Sequence, residues 1–424
     1  MLPERRDVPG TYDRAVRANL TIDGRADGAS PRLDALQAIA GTEPRFEGLY
    51  VHVPFCFHKC HYCDFYSFVD TEDRQEAYAA RLDAELAALA PLVRSPLRTV
   101  FVGGGTPTLL RADVLGRVLR SIAARLPLGP DAEWTVEANP ETVDARIAAT
   151  LAEAGVNRVS LGAQSFDPAH LRTLERHHDP ASVARAVGAL RAAGIGRISL
   201  DLIFGIPGQS LEGWGADLAR AIELSPDHLS CYGLTYEPNT AMTVRMGRGE
   251  FEPCDEALEA RMLEHADERL RAAGFDRYEV SNWALVRRGD RTAERCRHNM
   301  LYWRDRDWLA AGPSASGHAA GVRWKNVPRL GDWLASAGSS PVVDVERGDA
   351  DVRAGERLMM GLRLVDGIPA EELAGILAMG ARGPARRAVI DAAVRNGQLR
   401  WSPDGLAFTP AGMMIANEVL SLLV

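Results

Sequence analysis

Long apolar runs are missing from this chain. Nowhere do about twenty consecutive residues stay apolar, so a membrane-spanning helix of ordinary length is not expected. The opening residues, Met1-Leu-Pro-Glu-Arg-Arg-Asp7, lack the apolar stretch of a secretory signal. Cysteine is scarce, six in 424 residues, and without a secretory leader a disulfide framework is not expected either. Basic charge is also in short supply: 49 Lys and Arg stand against 57 Asp and Glu, a formal net charge of −8, and no long Lys/Arg run offsets it. That balance argues against electrostatic binding of nucleic acid. These absences leave the expectation of a soluble, cytoplasmic chain of two or three globular domains, with room for peripheral contact at a membrane.

Three of the six cysteines are gathered in one stretch, Tyr50-Val-His-Val-Pro-Phe-Cys56-Phe-His-Lys-Cys60-His-Tyr-Cys63-Asp-Phe65, spaced C-x3-C-x2-C directly after a short apolar run. Soft thiolates so close together point to a metal, and such a loop can hold three irons of a 4Fe-4S cluster, leaving the fourth without a protein ligand. A closed zinc site is the competing assignment; it needs a fourth ligand, nominally His58 or His61. Cys231, Cys254 and Cys296 lie far away in sequence and read as buried thiols.

From Glu47 onward, strand patterns alternate with helical ones. Strands are predicted at Leu49–Val53, Arg98–Val102, Glu133–Ala138, Arg158–Gly162, Arg197–Phe204 and His228–Leu234. Between them run Ala-, Leu- and Arg-rich segments with helical spacing, such as Glu76–Leu92 and Ala181–Ala193. This alternation predicts an α/β fold with a parallel sheet, a (βα)6 partial barrel of the TIM-like kind. Strand C-termini share one face of such a barrel, and polar residues stand there: the cysteine loop, Gly103-Gly-Gly-Thr-Pro107, Glu137, Gln164 and Asp201.

The cysteine spacing, with Tyr62 before the last cysteine, resembles the radical SAM superfamily, and Gly103–Pro107 resembles its glycine motif. The resemblance runs from about Leu49 to the C-terminus and implies a 4Fe-4S cluster held by Cys56, Cys60 and Cys63, with S-adenosyl-L-methionine beside it. It further implies that Tyr50, Gly104, Gly105 and Thr106 hold the methionine end, and Glu137, Gln164, Arg176 and Asp201 the ribose and carboxylate side. Tyr62 and Thr235 would lie near adenine.

Within the superfamily, Val156-Asn-Arg-Val-Ser-Leu-Gly-Ala-Gln-Ser-Phe166 and Asp201-Leu-Ile-Phe-Gly-Ile-Pro-Gly-Gln209 resemble the oxygen-independent coproporphyrinogen III oxidase group. One branch of that group carries an extra cysteine two positions after the third; here that position is Phe65. The other is the HemW-type heme chaperone branch, marked by H-N-x-x-Y-W. This chain has His298-Asn299-Met-Leu-Tyr302-Trp303, preceded by Arg277-Tyr-Glu-Val-Ser-Asn282. The resemblance implies a heme chaperone that delivers heme to hemoproteins such as membrane-bound respiratory enzymes. The alternative is a coproporphyrinogen III dehydrogenase or another radical SAM oxidoreductase. His298 can serve as an axial heme ligand, or it can satisfy buried backbone groups while Tyr302 and Trp303 pack around it. Gly312 to His318 reads as a second close-approach loop.

The domain reading is an irregular extension over 1–46, the barrel over 47–250, and a barrel-completing segment with the H-N-x-x-Y-W motif over 251–335. A C-terminal winged-helix-like domain follows over 336–424, three helices and a hairpin turning at Pro403-Asp-Gly405.

Overall fold

Apolar and polar residues alternate along Leu49-Tyr-Val-His-Val53, the period of a strand with two unlike faces. In the computed structural model, which describes residues 20–22, 34–238 and 240–424, Leu49, Val51 and Val53 are fully buried in one apolar cluster with Leu82 and Leu86 of the helix Gln75–Leu89. Tyr50 and His52 point to the other side, the barrel interior.

The strands are β1 (Leu20–Ile22), β2 (Phe46–Val53), β3 (Leu97–Gly104), β4 (Leu128–Ala138), β5 (Arg158–Gln164), β6 (Arg197–Phe204) and β7 (His228–Gly233). From β2 to β7 every neighbouring pair is parallel and in chain order. Helical segments make the crossovers, several started by side-chain caps: Asp144 accepts from the Ile147 N–H, Ser210 from that of Gly213. This is the expected (βα)6 partial barrel.

The sheet then grows at both edges with shorter strands. β8 (Phe275–Arg277) and β9 (Asn282–Leu285) form an antiparallel pair beyond β7. On the other side, β10 (Asp307–Ala311) runs parallel to β2. β11 (Ser316–Ala319), β12 (Val322–Asn326) and β13 (Val342–Gly348) continue from it as an antiparallel meander.

Most of the N-terminal extension lies outside the described residues. Within them, β1 pairs with β13, and Ala35–Ala38 forms one helical turn behind an Asp34–Gln37 capping box. The C-terminal helices Ala350–Gly361, Ala370–Leu377 and Gly383–Arg395 fall where the sequence places them, and the hairpin follows as β14 (Leu399–Ser402) and β15 (Gly405–Phe408). Two more helices, Pro410–Met414 and Ala416–Leu423, close a second apolar core of their own around Leu358, Ile390, Leu406 and Leu420. Because β13 pairs within the main sheet and this second core gathers only from Ala354 onward, we place the boundary after Gly348 rather than at residue 336.

Candidate functional site

Two loops meet where β2 and β3 end. Beyond Val53 the chain turns into the cysteine loop, whose base is closed by Cys56 N–H to the Phe68 carbonyl and Phe68 N–H to the Pro54 carbonyl, both 3.0 Å. The glycine loop fastens onto it through Gly105 N–H to Val53 O at 2.7 Å and Thr106 N–H to Phe55 O at 2.8 Å. The glycines are needed for this contact. A Cβ on Gly105 would stand 2.7 Å from the Phe55 carbonyl oxygen; Gly104 has φ +105°, and a Cβ there would fall 2.4 Å from the His52 ring. The close approach expected toward a ligand is first of all an approach to the chain's own cysteine loop.

Cys56, Cys60 and Cys63 are free, half-buried thiols. Cys56 Sγ lies 3.7 Å from Thr106 Oγ1, and the Arg176 guanidinium reaches Cys60 Sγ at 3.7 Å. Burial pushes the Cys63 thiol up to about 11 and raises that of Cys56. Desolvated thiols of this kind become thiolates when a cation replaces the proton, as cluster iron does. The zinc alternative loses its fourth ligand: His61 Nδ1 accepts from Arg245 at 3.1 Å, and His58 Nε2 turns to Glu175 at 3.6 Å. The donor set fits a cluster with one iron left open.

Beside the loop is a cavity of about 380 Å³ lined by Tyr62, Gly104, Gly105, Glu137, Gln164, Arg176, Asp201 and Thr235. The structure thus brings together eight of the ten residues assigned to S-adenosylmethionine. The other two stand just behind: Thr106 is buried against Cys56, and Tyr50 gives its hydroxyl to His52 Nδ1 at 3.0 Å and lines an adjoining cavity of about 220 Å³.

The cavity is acidic within. Burial raises Glu137 to about 7 against the pull of the Gly104 N–H, 3.0 Å away, and Asp201 repels it further. Asp201 is itself raised by burial, opposed by hydroxyls of Ser230, Ser160 and Ser199. Two buried carboxyls that share the single guanidinium of Arg158 keep room for a ligand carrying a sulfonium and an ammonium group. Opposite them, Arg176 donates to Asn139 Oδ1 and the Gly162 carbonyl, both at 2.8 Å, while its buried Nε has no partner. Sequence reasoning missed Asn139, which also donates to Thr106 Oγ1 at 3.2 Å. Its signal was there: a polar residue between the end of β4 and Pro140.

Residues 50–221 match the model of the radical SAM superfamily. The heme chaperone HemW of Mycobacterium tuberculosis is 38% identical over 385 residues, 89% of this chain and 94% of that protein. HemW of Escherichia coli is 35% identical over 89% of this chain and 97% of its own length. The chain belongs to the HemW family of heme chaperones. Among solved structures, the coproporphyrinogen III oxidase HemN of Escherichia coli superposes with a TM-score of 0.76 over 92% of both chains at 20% identity, a likeness of fold.

Two features set off by the HemW resemblance now have positions. Phe65, where the oxidase branch has its additional cysteine, is 60% exposed and borders both cavities. His298 is fully buried, with Nδ1 on Thr99 Oγ1 and Nε2 on the Tyr302 hydroxyl, each at 2.8 Å, and its ring stacked on Phe101. Both ring nitrogens are engaged, so the expectation of an axial heme ligand at His298 meets an imidazole with no free nitrogen. The rest of the motif is better placed: Asn299, Tyr302 and Trp303 line a cavity of about 290 Å³ together with Tyr232 and Met360.

Gly312 and His318 serve the fold. A Cβ on Gly312 would lie 2.5 Å from the His52 carbonyl oxygen, and buried His318 faces Asp305, Asp307 and the Arg306 carbonyl. Of the remaining cysteines, Cys231 and Cys296 are buried, whereas Cys254 is half-buried.

Proposed function

We propose that this chain binds heme and hands it to acceptor hemoproteins, respiratory enzymes at the membrane among them, on a scaffold that carries a 4Fe-4S cluster and S-adenosylmethionine. The observation that carries this reading is the 38% and 35% identity to HemW heme chaperones across 89% of the chain. Phe65 at the cavity rim, in place of the oxidase branch's cysteine, supports it. Among the described residues no helix is long and apolar enough to cross a membrane, so contact with a membrane-bound acceptor would be made from the surface.

Each part of the site then has a task. Cys56, Cys60 and Cys63 would hold the cluster, which would supply a binding place for S-adenosylmethionine beside the cavity. Glu137 and Asp201 set a wall of two buried carboxyls, and Arg176 ties the Cys60 thiol to Asn139 and the end of β5. Tyr232, Tyr302, Trp303 and Met360 offer flat and soft apolar surface for a porphyrin. His298 acts through Tyr302, whose hydroxyl it holds in place.

The test is anaerobic cluster reconstitution followed by parallel assays of heme uptake and coproporphyrinogen III turnover. Stoichiometric heme uptake without decarboxylation is expected. Robust decarboxylation would move the chain to the oxidase reading.

A further inference from the structure

Outside the thiol set, one more group of metal-ligating side chains converges at the cysteine loop. His58, between Cys56 and Cys60, meets Glu175 and His177 from the segment after β5, and one ligand atom from each lies within 4.8 Å of the other two. The two imidazoles stand nearly perpendicular, centroids 4.7 Å apart, and turn their Nε2 atoms to the same carboxylate oxygen, Glu175 Oε2, at 3.6 and 4.0 Å.

Those separations are too long for hydrogen bonds. They are near the spacing of donors around one tetrahedral ion, where bonds of about 2.0–2.1 Å put ligand atoms roughly 3.4 Å apart. His58 Nε2 is shut off from water and has no hydrogen-bond partner, an unmet requirement for a buried polar atom. His61 stays outside the set, because its Nδ1 accepts a hydrogen bond from the Arg245 guanidinium at 3.1 Å.

We propose that His58, Glu175 and His177 form a second metal site, distinct from the cluster, for a divalent transition ion of the zinc type. Two imidazoles and one carboxylate suit such an ion and leave a fourth position, beside the half-exposed His177, for water. Bound there, the ion bridges the loop carrying Cys56 and Cys60 to the segment carrying Arg176, whose guanidinium already touches Cys60 Sγ. The site is a clasp on the cluster loop.

The test uses the full chain, anaerobically reconstituted with its cluster, dialysed to equilibrium against zinc(II) ion and assayed for zinc by mass spectrometry. One zinc per chain is expected, with at least a tenfold loss of affinity in His177→Ala and in Glu175→Gln. The triple variant Cys56→Ser/Cys60→Ser/Cys63→Ser separates this zinc from any bound by thiols, and it should keep the site. Zinc binding by cluster-loaded protein that is unchanged in His177→Ala, or zinc absent from the cluster-loaded parent, would overturn the proposal. Zinc that a folded triple variant cannot bind would assign the ion to the thiols instead, with the same result.

Discussion

The two ends of the barrel interior are built from the same kinds of residue and do opposite things with them. At the floor, where the strands begin, two sets of polar side chains pair with one another. Thr99, His298 and Tyr302 make one chain of hydrogen bonds; Ser199, His228 and Tyr278 make a second. At the mouth, where the strands end, three thiols, Glu137, Asp201 and the Arg176 Nε keep capacity that the protein itself does not use up. Burial alone therefore does not mark a ligand site in this fold. What sets the mouth apart is that its groups line an open cavity beside the thiols, whereas the floor buries Glu133 Oε2 and Thr135 Oγ1 without partners as well; an unpaired buried polar group costs about 1–3 kcal/mol unless a ligand meets it.

The largest expected effect comes from the mouth. Cys60→Ser should abolish stable cluster incorporation, since a hydroxyl is a poor ligand for iron where a thiolate stood. Iron content and cluster absorbance at the parental level would show the ligand set to be wrong. Next comes the glycine loop: Gly104→Val puts a branched side chain at φ +105° and into the His52 ring. S-adenosylmethionine affinity measured by calorimetry on the cluster-loaded protein should drop by at least roughly tenfold, with a cost in stability from the strained backbone. Parental affinity in that variant would remove the loop from the binding site.

At the floor the effect should be on stability. His298→Ala leaves Thr99 and Tyr302 without their partner and opens a void beside Phe101, a loss of about 2–4 kcal/mol. Denaturant titration measures it. An unchanged midpoint accompanied by a displaced heme Soret band would place His298 among the heme ligands and erase the distinction between the two ends.

The smallest effect is in pH dependence, and the two ends should differ in sign. At the floor, burial holds His298 neutral down to about 3, below the ordinary imidazole value. In acid the unfolded chain takes up a proton that this ring refuses, so its contribution falls as pH drops from about 6.5. Glu137 is raised to about 7. Between the ordinary carboxyl range and 7 the folded protein keeps a proton that the unfolded chain has lost, so this contribution falls as pH rises. The melting temperature of Glu137→Gln minus that of the ligand-free parent should therefore grow from pH 5 to pH 8. A flat difference would mean that Glu137 is ionised throughout.

The parallel strands were legible because each is an apolar run bounded by turn residues, and their order follows from strand-helix alternation. β4 began earlier than expected: the predicted strand starts at Glu133, yet Leu128 already pairs with Leu97, across a register shift. The edge strands β8 to β13 escaped notice, since segments of three to seven residues holding Arg, Trp and Gly show little period of their own. Their pairing comes from neighbours distant in the chain.

By itself, then, the sequence determined the cysteine spacing, the strand order and the set of polar residues at the strand ends, because these depend on residue type and on local period. Only the tertiary structure decided what each polar residue is free to do. His298 and His58 are both histidines in suggestive motifs, but one has both nitrogens taken by Thr99 and Tyr302, and the other is left facing Glu175 without a hydrogen bond. Availability of a nitrogen or a thiol is a property of the whole surrounding shell. Here that shell comes from chain segments more than a hundred residues apart, and packing alone brings them together.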